Sequence, residues 1–162
     1  MSFKLLSSQI AIYQLILFFS FSLSVNYFVE LKIVNYVAYV LFHLTLIYLA
    51  FYFFNFILFF IYFLYGVFFD IFLINNVSVH LITFLVFILL FYFIKKFLLN
   101  LSAYKISYII IVITFMMFIG ETLIANIFFH YPINFENLGL LFLITLIIYF
   151  PTLFIFLKID KI

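Results

Sequence analysis

Cysteine, tryptophan and arginine are absent from this chain, and charged side chains make up only 7% of its 162 residues. Without cysteine there is no disulfide, no thiol nucleophile and no thiolate metal site. With so little charge, a water-exposed surface would be one continuous apolar patch, which soluble domains do not carry. Glycine and proline are scarce as well, at three and two residues, so there is no Gly-rich phosphate loop. The three histidines and five acids are scattered along the chain, without the short spacings that metal ligands need. No cofactor and no nucleic-acid partner are expected, and no serine has a base and an acid beside it.

What the chain does have is apolar surface: 72% hydrophobic residues, thirty of them Phe. The solvent expected for such a sequence is lipid. There, every backbone amide must be satisfied internally, which leaves helical bundles or closed barrels. Barrel strands alternate apolar with polar residues, whereas these runs are continuous and close to the ~20 residues a helix needs to cross a bilayer. The sequence therefore predicts an all-α integral membrane protein, a single domain over residues 1–162 with no room for a soluble one. Six spans fit, at about 10–28, 33–53, 56–74, 77–94, 106–129 and 138–157. The first is expected to be a retained span, because no small-x-small cleavage pattern follows it. The weakest break is Asn55, the only polar residue near the centre of a run twice a membrane thickness long. Thirteen Tyr are expected to take the interfacial role that Trp usually shares.

Six spans put Lys4, Lys95, Lys96, Lys105, Lys158 and Lys161 on one side and only Lys32 on the other. By the positive-inside rule both termini are then cytoplasmic. The segment from Lys95 through Lys105, basic at both ends, is expected to lie along the cytoplasmic headgroups, near anionic lipid.

Polar groups inside such spans are the candidates for function, since a charge near mid-membrane costs at least ~2.5 kcal/mol. Asp70 falls near the outer end of the third span. Glu121 falls roughly 12 Å below the outer end of the fifth, at 1.5 Å per residue, and His80 opens the fourth. The three are expected to form one polar cluster in the outer half of the bilayer, within reach of Lys32. The bland reading is that these groups bond one another and hold helices together. Gly66, one turn before Asp70, and Gly120, beside Glu121, are candidate helix contacts because a small residue lets another backbone come close. His43, midway along the second span with no second intramembrane histidine nearby in sequence, reads as a packing residue. Pro151 is expected to kink the sixth span.

The stretch Gly66-Val-Phe-Phe-Asp70, followed by a short polar turn and Val77-Ser-Val-His80, resembles the rod shape-determining protein MreD family. In that family a Gly-x3-Asp closes one span and a short turn leads into the next. Length, the basic tail around Lys158 and Lys161 and the proline in the last span are similar too. The resemblance implies a non-enzymatic component of the bacterial inner membrane, part of the cell-elongation machinery. It implies binding to MreC, a one-span protein, and association with MreB, RodA and a penicillin-binding transpeptidase, coupling filaments inside to peptidoglycan synthesis outside. The family is also similar in fold to the substrate-binding subunits of energy-coupling vitamin transporters. That similarity defines an alternative in which Asp70, His80 and Glu121 line an outward-facing pocket.

Overall fold

The computed structural model describes residues 7–25, 32–74, 78–98 and 103–161. All regular structure among them is helical: α1 (Ser7–Ser24), α2 (Lys32–Tyr52), α3 (Phe56–Phe69) continued by one π-helical turn (Asp70–Ile74), α4 (Val79–Leu98), α5 (Ala103–Phe129) and α6 (Phe135–Ile159). Four stretches, Lys32–Tyr52, Phe56–Leu73, Lys105–Phe129 and Phe135–Ile159, are long and apolar enough to cross a membrane. The apolar parts of α1 and α4 are shorter, Gln9–Ser24 and Val79–Ile94. The protein is a helical bundle of membrane-protein character.

Local chemistry sets the helix ends. Asn55 breaks the long apolar run because it is extended (φ −144°, ψ 172°) and its side chain accepts the Leu58 amide, capping α3. Asn134 does the same for α6, accepting from the Asn137 amide, so α6 starts three residues before the expected Leu138. Caps of this kind satisfy amides that no helical carbonyl can reach. Lys95 and Lys96 lie inside α4, which runs to Leu98, and Lys105 sits in the first turn of α5. The basic segment expected from 95 to 105 thus covers the end of α4 and the start of α5, with residues 99–102 outside the described residues. Asn75, Asn76 and Val77, the expected turn into the fourth span, lie outside the described residues, as do Lys4, Glu30 and residues 26–28. Pro151 lies within α6, which continues to Ile159.

α2 is the central helix. It contacts each of the other five, and its residues from Phe42 to Ala50 are all buried. A helix apolar on every face is one surrounded by others. Around it the rings interlock edge to face, with Phe42 on Phe69 and Phe21 on Phe69, both at 4.8 Å between centroids. Close packing of this kind can hold helices together even without water exclusion. The outward faces of α3, α5 and α6 carry Phe60, Phe63, Met116, Phe150 and Phe154, all exposed.

Helix ends gather at two poles. One pole joins the last turns of α1, α3 and α5 to the first turns of α2, α4 and α6. At the other, Gln9 of α1, Tyr13 and Tyr48 meet Asp160 just past α6.

Candidate functional site

The first pole holds a chain of five polar side chains. Asp70 begins the π-helical turn, and its buried carboxylate is filled by donors from the start of α4. The amides of Ser78 (2.8 Å) and Leu81 (3.1 Å) donate to Oδ2, while the amide (2.7 Å) and Nδ1 (2.9 Å) of His80 face Oδ1. A carboxylate from another helix thus does the work of an N-cap, satisfying amides that α4 itself cannot and meeting the positive end of its dipole. Gly66 makes this approach possible: a Cβ there would lie 2.8 Å from the Leu81 Cα. Gly120 is less tightly held, with only the Thr83 and Phe87 side chains at 3.6 and 3.8 Å from a Cβ.

From His80 the chain continues inward. Its Nε2 is 3.0 Å from the hydroxyl of Tyr39, which is 2.5 Å from Glu121 Oε2. The other Glu121 oxygen is 2.8 Å from His43 Nε2, and His43 Nδ1 donates to the Tyr39 carbonyl at 2.8 Å. Asp70, His80, His43 and Glu121 are all buried. The structure brings the three residues of the expected cluster together, through a tyrosine that sequence reading did not single out. It also adds to the account of His43, which is a hydrogen-bond partner of Glu121 and not only a packing residue. The signal was present: Asn35, Tyr39 and His43 recur every fourth residue, one face of α2. Lys32 is exposed and forms no ion pair with the cluster among the described residues.

Proton accounting shows what the chain can do. Asp70 has four donors, so it serves as an ionised acceptor. His43 spends its Nδ1 proton on a carbonyl and His80 spends its own on Asp70. The three remaining contacts, His80–Tyr39, Tyr39–Glu121 and Glu121–His43, need one proton each. Tyr39 supplies one, and two must come from His80, Glu121 and His43. Each choice of two gives a fully bonded cluster in which Asp70, His80, Glu121 and His43 sum to zero charge. The three arrangements interconvert by moving protons along the chain, so the cluster can redistribute charge without gaining or losing any.

Beside it lies a cavity of about 330 Å³ with walls from α1, α2, α4, α5, α6 and the π turn that follows α3. Tyr39, His80 and Glu121 form part of its lining, with Leu73, Phe118 and Leu141 among the apolar groups. Asp70 is not part of that lining. Among the described residues no group of three or more His, Cys, Asp or Glu could hold a metal ion.

A second polar cluster at the opposite pole was not anticipated from sequence. Asp160 accepts hydrogen bonds from the hydroxyls of Tyr13 (2.7 Å) and Tyr48, and its carbonyl accepts one from Gln9 (3.2 Å). The Tyr149 hydroxyl donates to the Ser107 carbonyl at 3.0 Å, joining α6 to α5. In the sequence Asp160 stands between Lys158 and Lys161 and carries no mark of this role.

Fold and site together define a helical bundle with membrane-length apolar helices, a satisfied ionic cluster and an adjoining cavity. Compared with family models, curated proteins and solved structures, the chain matches none.

Proposed function

We propose that the protein is a non-enzymatic scaffold of the bacterial inner membrane, similar to MreD, that recruits an MreC-like one-span protein for cell elongation. The observation that supports this reading is the engagement of Asp70. The Gly66–Asp70 stretch that carries the resemblance is a fastener: one glycine admits the α4 backbone, and one carboxylate takes four donors. A group so occupied is suited to holding a helix pair rigid rather than to attacking a substrate. Recognition then falls to helix faces, and several carry large exposed apolar side chains. In this reading all six helices span the membrane with both termini in the cytoplasm, and Lys95, Lys96 and Lys105 lie at the cytoplasmic side for contacts with MreB, RodA or a transpeptidase.

The test is co-purification from mild detergent with the one-span protein encoded beside an actin-like filament protein. A stable complex is expected, and a folded chain that never retains that partner would remove the reading. Gly66→Leu is not a suitable interface probe, because it would push apart α3 and α4 of the chain itself. A C-terminal reporter active in the cytoplasm is expected, and one active only outside would refute the six-span topology. The cavity favours a second reading, the substrate-binding subunit of an energy-coupling transporter, which a panel of vitamins in a thermal-shift assay would test.

A further inference from the structure

We infer that the cavity between the helix ends is a binding site for an uncharged, largely apolar molecule that carries a hydrogen-bond donor. This site stands whether or not the chain recruits an elongation partner.

Size sets the first limit. A cavity of about 330 Å³ is at the small end of ligand pockets, which run from about 300 to 1,000 Å³. It is too large to be filled by one or two bridging waters, each of which takes up roughly 30 Å³.

Charge sets the second. The titratable groups around the cavity are Tyr36, Tyr39 and His43 on α2, Asp70 on the π turn, His80 on α4 and Glu121 on α5. Every fully bonded arrangement of the two carboxylates and two imidazoles is neutral overall. A charged ligand would therefore enter a low-dielectric space with no unmatched counter-charge, which is costly. Near the helix starts on either side, Lys32 and Glu136 are exposed and of opposite sign, so neither sign predominates among these described charges.

Donor and acceptor supply sets the third. Three hydroxyl protons around the cavity are already committed: Ser24 donates to the Phe21 carbonyl (2.7 Å), Thr122 to that of Ile119 (2.8 Å), and Tyr39 to Glu121 (2.5 Å). An acceptor is left open. Asn35 Oδ1 in particular is buried and has no partner, and Asn35 lines the cavity. A buried acceptor without a donor costs about 1–3 kcal/mol, and a hydroxyl or amide N–H on the occupant would supply the missing half. Shifts of protons along the Tyr39 chain let that wall adapt to the occupant at constant charge.

The molecule could be free or the head of an uncharged lipid, and probes separate these sources. The purified full chain in detergent is titrated with benzyl alcohol, toluene, benzylamine and mono-octanoylglycerol, and its thermal midpoint is followed. A hydroxyl-bearing probe at several times its Kd is expected to raise the midpoint by roughly 2–4 °C. Benzyl alcohol acting alone indicates a free molecule, and the acylglycerol acting alone a lipid. The rise should vanish in Ala125→Phe, which fills the cavity, and in Asn35→Leu, which removes the open acceptor. If one variant fails to fold, the other carries the comparison, and Ala125→Leu replaces the larger filler. The inference is overturned if neither hydroxyl probe acts, if toluene or benzylamine does as well, or if the rise persists in the variants.

Discussion

The two poles of the bundle solve one problem with different chemistry. At each, buried polar groups pin helices together. At the Asp160 pole the side-chain donors are two tyrosine hydroxyls, Tyr13 and Tyr48, whose protons go to the carboxylate, with the Phe156 carbonyl a longer second acceptor for Tyr13 at 3.5 Å. Their rings pack on each other and on Phe156 at 4.7–6.1 Å, and the void beside Tyr48 is only about 10 Å³. At the Asp70–Glu121 pole two imidazoles join the carboxylates, protons have alternative homes, and the neighbouring space is about 330 Å³. A fixed donor makes a static clasp. An exchangeable one makes a clasp whose neighbour can change, and the larger space lies at that pole, about 330 Å³ against about 90 Å³ beside Tyr13.

The comparison breaks first at Asp70. Asp70→Ala strands three backbone amides of α4 and one imidazole in a buried site, an expected loss of ~3–5 kcal/mol. Asp160→Ala strands two phenols near a helix end that is less completely buried, and about 1–2 kcal/mol is expected. Reversible unfolding of both variants in mixed micelles checks the order, and equal losses would mean that the poles are equivalent. Gly66→Leu comes next. A side chain there meets the backbone of Leu81, which cannot rotate away, so at least ~2 kcal/mol of overpacking is expected. Gly120→Ala, facing side chains only, should cost less than about 1 kcal/mol.

Glu121 sharpens the distinction between a movable and a fixed proton. In Glu121→Gln the carboxamide oxygen can accept from Tyr39 and its NH₂ can donate to His43, with His80 protonated opposite Asp70. All three contacts survive at zero charge, so stability is expected within ~1 kcal/mol of wild type. Glu121→Leu leaves His43 Nε2 unpaired and Tyr39 with His80 alone, and is expected to cost ~2–3 kcal/mol. The same unfolding assay measures both. A Gln variant as damaged as the Leu variant would mean that the cluster needs the ionised carboxylate itself.

The helical architecture was legible because it follows from few rules. Apolar run length and the need to satisfy backbone amides dictate helices, and Asn55 stands out as a break because nothing near it can cap a helix. The bringing together of Asp70, His80 and Glu121 was legible as well, since alternating helices put all three at one pole. Tyr39 and the role of His43 were not. A tyrosine among thirteen carries no mark of its own, and its meaning depends on which residues α4 and α5 place opposite it. Asp160 was hidden by its neighbours Lys158 and Lys161, which make the tail look merely basic. The start of α6 was misplaced because Asn134 caps through its side chain, a geometric event that hydropathy does not register.

The smallest effect lies at the end of α5, next to the cavity pole but outside its chemistry. His130 has φ 56°, the left-handed region where a Cβ costs ~1 kcal/mol and glycine is the usual occupant. The amide of His130 bonds to the Asn126 carbonyl (3.0 Å) and that of Tyr131 to the Ala125 carbonyl (3.4 Å), an ending of the αL type that needs this backbone shape. The Asn126 side chain braces it by donating to the Tyr131 carbonyl at 2.9 Å. Because the His130 side chain is exposed, replacing it removes strain and little contact. His130→Gly is expected to stabilise the fold by ~0.5–1 kcal/mol after the entropy of glycine in the unfolded chain is subtracted. Asn126→Ala should cost about as much by loosening the same turn. If His130→Gly destabilises instead, the imidazole has a partner beyond this chain, and the cavity pole extends further than its five-residue proton chain.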